Sequence, residues 1–152
     1  MGMKALVVYY SRTGTTKKVG EEIARKLKAD VEQIEDVKDR SGPLGWLRSG
    51  KEGMKKILAE IKPIKKDPAK YDLTIIGTPI WAANPSSPVR TYMSNNKFKK
   101  VAYFMTGDNP ATVFDEMEKL AGKPIETLFV PSKEVAQNAY SGKVGEFTKR
   151  LK

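Results

Sequence analysis

A hydroxyl-rich turn near the start of the chain has the residue types of an anion-binding site. It comprises Ser11, Arg12, Thr13, Gly14, Thr15 and Thr16. An apolar run, residues 5–10, precedes it, and an amphipathic helix pattern follows it. The first N–H groups of a helix have no partner within the helix, and they carry partial positive charge that attracts phosphate. The turn therefore predicts a phosphate site, and an ordinary helix cap formed by Thr13 or Thr15 is the alternative.

Motifs and residue types that the chain lacks narrow its chemistry. Neither GxxxxGK[ST] nor GxGxxG follows the first apolar run, which argues against a nucleoside triphosphatase or a dinucleotide-binding site. The sequence has no Cys and no His. This excludes disulfides, thiol nucleophiles and imidazole bases, and Asp36, Asp39 and Asp72 form no convincing metal cluster. If the protein does chemistry, a cofactor must therefore supply most of it.

Length and composition indicate one soluble domain over residues 1–152. Of these residues, 39% are hydrophobic and 30% are charged, as in ordinary globular proteins. No apolar run approaches the ~18 residues of a membrane span, so we expect a cytoplasmic protein without a membrane partner. The net charge is +10, but the lysines are spread along the whole chain. We therefore expect a generally basic surface and no nucleic-acid partner.

Short apolar runs alternate with helical patterns, which is typical of an α/β protein with a parallel sheet. The predicted strands cover residues 4–10, 31–34, 73–76, 101–105 and 125–130. The long connection before the third strand predicts a helix of about four turns, starting near Trp46 and stopped by Pro63. The fold prediction is a three-layer α/β sandwich, in which ligands bind at the carboxyl ends of the strands.

Three loops at that edge resemble those of the flavodoxin family. Residues 11–16 resemble its phosphate signature, (S/T)-x-T-G-x-T, and residues 77–85 look like the loop that lays an aromatic ring on the isoalloxazine. Residues 106–110 form the third loop, and residues 40–50 and 88–92 are similar to small bacterial and archaeal members. The resemblance implies a doubly wound, flavodoxin-like fold with a five-stranded parallel sheet in the order 2-1-3-4-5. It also implies FMN as the cofactor.

The same resemblance implies which residues hold FMN. The phosphate would be held by Ser11, Thr13, Gly14, Thr15 and Thr16, with Arg12 at a variable position of the loop. The second loop would frame one face of the ring and meet its N5 edge through Thr78, Pro79, Ile80, Trp81, Ala82, Ala83 and Asn84. The third loop would hydrogen-bond the pyrimidine side through Thr106, Gly107, Asp108 and Asn109. Within the second loop, Trp81 would stack on the flavin.

Some of these positions have a structural alternative. Trp81 could be a capping or core residue, although an aromatic residue in such a loop favours the flavin role. For Trp46, packing against the sheet or a partner is at least as well supported as flavin contact. Asp108 and its neighbour could simply cap the next helix. Residues 82–84 include two alanines, and Ala disfavours the positive φ that a backbone flip toward N5 would need.

The resemblance favours an FMN protein that carries single electrons between redox partner proteins, as a monomer or a homodimer. The alternative is an NAD(P)H-dependent FMN or quinone reductase on the same fold. A flavin-free basic binding module is a third, less favoured interpretation. Flavodoxins that carry electrons are typically acidic, so the net charge of +10 is a departure. We expect it to raise the potential of the last reduction step of the flavin.

Overall fold

Five parallel strands form the middle layer of the structure, a computed structural model that describes residues 3–152. They are β1 (Ala5–Tyr9), β2 (Asp30–Gln33), β3 (Leu73–Trp81), β5 (Lys100–Gly107) and β6 (Thr127–Pro131), and a sixth, two-residue strand, β4 (Asn84–Pro85), follows β3. The order is β2-β1-β3-β5-β6, and the two-residue β4 pairs antiparallel with the end of β3. With β4 set aside, this is the predicted order 2-1-3-4-5. The prediction of a doubly wound α/β sandwich is confirmed.

Helices cover both faces of the sheet, because successive residues of a strand point to opposite sides. They are α1 (Thr15–Leu27), α2 (Gly42–Met54), α3 (Ser87–Asn95), α4 (Val113–Ala121), α5 (Ser132–Ala136) and α6 (Ser141–Leu151). In β1, Val7 and Tyr9 pack in a core shared with α1 and α6. Leu6 and Val8 pack in a second core, shared with α3 and α4. No helix within residues 3–152 is long and apolar enough to cross a membrane.

The helix between β2 and β3 starts earlier and ends earlier than the sequence pattern predicts. It begins at Gly42 and ends at Met54, well before Pro63. Residues 60–62 then lie antiparallel to residues 35–37, joined by backbone hydrogen bonds of 2.8 and 3.1 Å. These bonds hold the end of the expected helix in an extended conformation, so the predicted boundaries are wrong.

The third strand is longer than predicted and leads into a hairpin. It continues past Gly77, where the apolar run predicts its end, as far as Trp81. The chain turns back through Ala82 and Ala83, whose φ angles are 50° and 62°. Positive φ at both central residues is the geometry of a type I′ turn, and it costs an L-residue about 1–2 kcal/mol. The predicted loop is therefore a hairpin with a strained tip, at the carboxyl edge of the sheet.

A largely buried carboxylate ties α4 to α3 and to the chain after α2. Glu116 accepts hydrogen bonds from Lys56 Nζ at 2.8 Å and from Arg90 Nη1 at 3.1 Å. The hydrogen bond from Lys56 has the largest influence on the pKa of Glu116, and it lowers that pKa. Burial raises the pKa, but the hydrogen bonds and charges of Lys56 and Arg90 outweigh burial, and the pKa falls to about 2. Because this folded-state pKa lies below the ordinary one, the ionised group stabilises the fold above its ordinary pKa. That stabilisation is lost as the pH falls toward the folded-state value.

We therefore expect Glu116→Gln to lower the free energy of unfolding at neutral pH by about 3 kcal/mol. The difference from the wild-type protein should shrink as the pH falls, since acid neutralises the wild-type carboxylate as well. Urea unfolding at a series of pH values measures this. The matched control is Glu118→Gln, an exposed position on the same helix, which should change stability little. A difference that stays constant with pH would contradict the assignment to ionised Glu116.

Candidate functional site

The loops after β1, β3 and β5 meet at the carboxyl edge of the sheet and enclose a cavity of about 140 Å³. Trp46 of α2 and Ser132, the first residue of α5, complete its wall. The lining residues are Ser11, Arg12, Thr13, Thr15, Thr16, Trp46, Pro79, Ile80, Trp81, Thr106, Gly107 and Ser132. Ten of them are among the seventeen residues that the sequence predicts for the site. The structure thus brings parts of all three predicted loops together around one cavity.

The hydroxyl-rich turn presents the N-terminus of α1 to this cavity. Gly14 is the N-cap residue, with a φ of 98°, and it has no side chain that could cap the helix. Ser11 Oγ accepts hydrogen bonds from Gly14 N at 3.0 Å and Lys17 N at 3.2 Å. Thr13 and Thr15 direct their hydroxyl groups at each other, 3.4 Å apart, rather than at the helix N–H groups. Neither threonine therefore caps α1, and the alternative interpretation of the turn as a threonine cap is wrong.

One hydrogen bond joins the first loop to the third across the cavity. The hydroxyl oxygens of Thr16 and Thr106 are 2.8 Å apart, and both residues are 1% exposed. Each hydroxyl can donate one hydrogen bond and accept others. The pair can therefore link the start of α1 to β5 while keeping a further hydrogen-bonding position toward the cavity.

Trp81 is a wall of the cavity and is almost fully buried. Its ring is 5% exposed and packs edge-to-face on Tyr10, with ring centroids 5.7 Å apart. The Arg40 guanidinium lies over the ring, 4.9 Å from its centroid. Only a small part of the ring is thus available to a ligand. The stacking role implied for Trp81 remains a prediction. Burial is the main influence that raises the pKa of Tyr10 to about 12, so this phenol stays protonated at neutral pH.

Arg40 is the centre of a buried ion-pair cluster beneath α2. It pairs with Asp36 on one side, and its Nη2 lies 2.7 Å from Glu52 Oε1 on the other. The side chains of all three are at most 8% exposed. Burial by itself would raise the pKa of Glu52, but the hydrogen bond and charge of Arg40 outweigh it and lower that pKa. Because Arg12 Nη1 also donates to the Arg40 backbone oxygen at 3.1 Å, the cluster supports both the hydroxyl-rich turn and Trp81.

Two lining residues were not among the predicted site residues. Trp46 projects from α2 to the rim of the cavity and is 64% exposed. That exposure rules out packing of its ring against the sheet, whereas packing against a partner and flavin contact stay predictions. Ser132 lies directly after β6. The rule that ligands bind beyond the carboxyl ends of parallel strands could have pointed to it.

The remaining predicted residues lie beside the cavity rather than on its wall. Thr78 is fully buried and its hydroxyl accepts from Ser86 N at 2.9 Å, which braces the base of the hairpin. The other members of this set are Gly14, Ala82, Ala83, Asn84, Asp108 and Asn109. Helix α4 begins only at Val113, and its N-cap is Thr112, so the alternative helix cap at residues 108–109 is wrong. Direct flavin contacts by these residues remain predictions.

Comparison with known proteins agrees with the observed architecture. The model of the flavodoxin family matches residues 4–139. No curated protein sequence matches the chain closely enough to count as a relative.

Solved structures share the fold at low sequence identity. A flavoprotein from Lactobacillus acidophilus NCFM, solved in complex with FMN, is 23% identical with a TM-score of 0.72, covering 90% of this chain and 98% of that one. A Bacteroides eggerthii protein assigned to the flavoproteins is 27% identical with a TM-score of 0.71, covering 90% and 95%. The oxidised flavodoxin 2 of Bacillus cereus is 18% identical with a TM-score of 0.51, covering 94% and 98%. Since the family model spans most of its length, the chain belongs to the flavodoxin family.

Proposed function

We propose that this protein is an FMN-dependent carrier of single electrons. FMN is the cofactor of the family. The observation that carries the assignment is the N-terminus of α1, whose N-cap residue Gly14 has no side chain, beside the other two loops. A Cβ placed on Gly14 would meet no atom within 4 Å, so the space around the loop is open to a phosphate group. The residues of the cavity therefore fit the cofactor in chemistry and in position.

Bound FMN would supply the redox chemistry, and the protein would bind and orient it. The helix N-terminus and the hydroxyls of the first loop would hold the phosphate, as helix N-termini do for anions elsewhere. Pro79 and Ile80 would frame the ring as apolar walls, with Trp81 behind them. Main-chain groups at Thr106 and Gly107 would provide hydrogen bonds to the polar side of the ring.

The carrier role is preferred to a reductase because the chain offers little to hold a second substrate. A reductase needs a platform for nicotinamide or quinone, and the connection between β5 and α4 has only five residues, 108–112. The sequence also has no His that could donate a proton. The alternative keeps some support, since a structure named as a quinone reductase from Klebsiella pneumoniae has the same fold, at 8% identity and a TM-score of 0.54.

Stepwise dithionite reduction of the FMN-loaded protein, followed across the visible spectrum, tests the proposal. A carrier should take up two electrons in separate one-electron steps, and it should oxidise NADH and NADPH only slowly when alone. Bleaching in a single two-electron step, with brisk NAD(P)H oxidation, would favour the reductase. Failure to take up FMN, together with salt-dependent binding of RNA or DNA, would favour the flavin-free basic module.

Removing the Thr16 hydroxyl should weaken FMN binding by about tenfold, the effect of losing one hydrogen bond to a charged group. The variant is Thr16→Val, and fluorescence titration of the apoprotein with FMN measures the Kd. Thr148→Val is the matched control, since Thr148 is also a buried threonine with a hydroxyl hydrogen bond, but it lies on α6. Both variants should lose similar stability. Equal FMN affinity in the two variants would remove Thr16 from the binding site.

A further inference from the structure

Helix α2 and the residues after it expose an unusual number of large apolar side chains. Ten such side chains are exposed within residues 3–152, and six of them lie in residues 44–58. The six are Leu44, Trp46, Leu47, Met54, Ile57 and Leu58, with exposed fractions from 42% to 79%. We refer to them as the α2 surface. Scattered apolar residues on a protein surface need no explanation, whereas a concentration of them marks an interaction site.

The helix exposes these residues because it buries its small ones. Its inward positions include Gly45, Ser49 and Gly53. A Cβ added at Gly45 would come within 2.0 Å of the Arg40 backbone oxygen, and one at Gly53 within 2.3 Å of the Trp81 backbone oxygen. Small residues are therefore required on the inner face, and the apolar residues must point outward. An ordinary surface helix has the opposite arrangement.

The charges on the α2 surface all have one sign. The cationic residues Arg48, Lys51 and Lys55 are exposed in this segment, whereas Lys56 is paired with Glu116. Its one carboxylate within residues 42–58, Glu52, is buried and paired with Arg40. The outward face thus combines apolar side chains with positive charge, and any partner that covers it must supply apolar contacts and negative charge.

The α2 surface adjoins the candidate flavin site. Trp46 belongs both to this surface and to the rim of the cavity. Gly53 lies against Trp81, whose ring is part of the cavity wall. A protein bound to the α2 surface would therefore lie next to bound FMN.

We propose that the α2 surface is the docking site for an acidic redox protein. This inference rests on the proposed function and names the chemistry of the partner. A second copy of this chain is a poor occupant, because a two-fold contact would bring the same cationic residues face to face. An acidic protein with an exposed apolar centre matches the surface in both respects.

The test is binding of a plant-type [2Fe–2S] ferredoxin, chosen for its acidic surface, to the FMN-loaded protein by titration calorimetry at low ionic strength. We expect binding that weakens as salt is added. Leu47→Ser and Lys51→Glu should each weaken it by about tenfold. The matched controls are Ile125→Ser, just before β6, and Lys149→Glu, on α6; both positions are exposed and outside α2, and they should change the Kd by less than about twofold.

Three results would overturn the proposal: no binding of ferredoxin, equal weakening by Lys149→Glu and Lys51→Glu, or a dimer of this chain that Leu47→Ser dissociates in sedimentation experiments. The second result would mean that net charge alone attracts the ferredoxin, and the third that another copy occupies the surface. These outcomes are separate from a failure of the proposed function. Brisk NAD(P)H oxidation would remove the carrier role while leaving a Leu47-dependent and Lys51-dependent ferredoxin complex unchanged.

Discussion

Replacing Arg40 by Met should lower the free energy of unfolding by about 3–5 kcal/mol, the effect of removing one partner from a buried ion pair. The substitution leaves Asp36 and Glu52 with no cation between them in a region from which water is largely excluded. It also removes the guanidinium that lies over Trp81. We expect weaker FMN binding in addition, because Arg12 of the hydroxyl-rich turn and Trp81 both contact Arg40. Urea unfolding and FMN titration measure the two effects.

The pH dependence of this variant identifies the ion pair as the cause. In the folded wild-type protein, Arg40 lowers the pKa of Glu52 against the opposing effect of burial. A lowered carboxyl pKa stabilises the fold above the ordinary value and contributes less as the pH falls. The deficit of Arg40→Met should therefore be largest at neutral pH and should narrow in acid.

The matched control for Arg40→Met is Arg48→Met, because Arg48 is an exposed arginine on α2 itself. It should change stability by less than about 0.5 kcal/mol. If the two arginine variants have equal stabilities, the buried cluster contributes nothing beyond a surface charge. A deficit of Arg40→Met that does not depend on pH would instead assign its effect to packing of the long side chain.

The layer architecture and the position of the hydroxyl-rich turn at the start of α1 could be predicted because their signals are local. Each central strand is a short apolar run, and alternation with helical patterns constrains the sheet to be parallel. The turn at residues 11–16 combines its hydroxyl groups and its glycine within six consecutive residues. No information about distant parts of the chain is needed to recognise either feature.

The orientation of α2 could not be predicted, because helical spacing of apolar residues normally marks the buried face. Here the helix lies so close to Arg40 and Trp81 that only small residues fit between them. Gly45, Ser49 and Gly53 repeat at every fourth position and were the available signal. Whether the helix buries its small residues or its apolar residues depends on tertiary contacts, such as the one between Gly53 and Trp81.

The burial of Trp81 has the same origin. Its position in a loop between Gly77 and Pro85 favours an exposed ring, whereas the structure extends β3 through it and places α2 across it. The buried charges of Arg40 and Glu52 resemble surface residues in the sequence. Their pairing brings together positions twelve residues apart on different elements, which no short pattern encodes.

Gly53→Ala should separate α2 from the cavity and weaken FMN binding by about tenfold or more. The new Cβ would lie 2.3 Å from the Trp81 backbone oxygen, and backbone cannot yield as a flexible side chain does. We expect a loss of about 1–3 kcal/mol in unfolding free energy from the clash. Gly50→Ala is the matched control, since a Cβ there meets no atom within 4 Å, and it should stabilise the helix by up to about 1 kcal/mol. The prediction is wrong if both variants gain stability and bind FMN like the wild-type protein. In that case the site does not depend on close contact between α2 and Trp81, and the small residues on the inner face of the helix have no role in it.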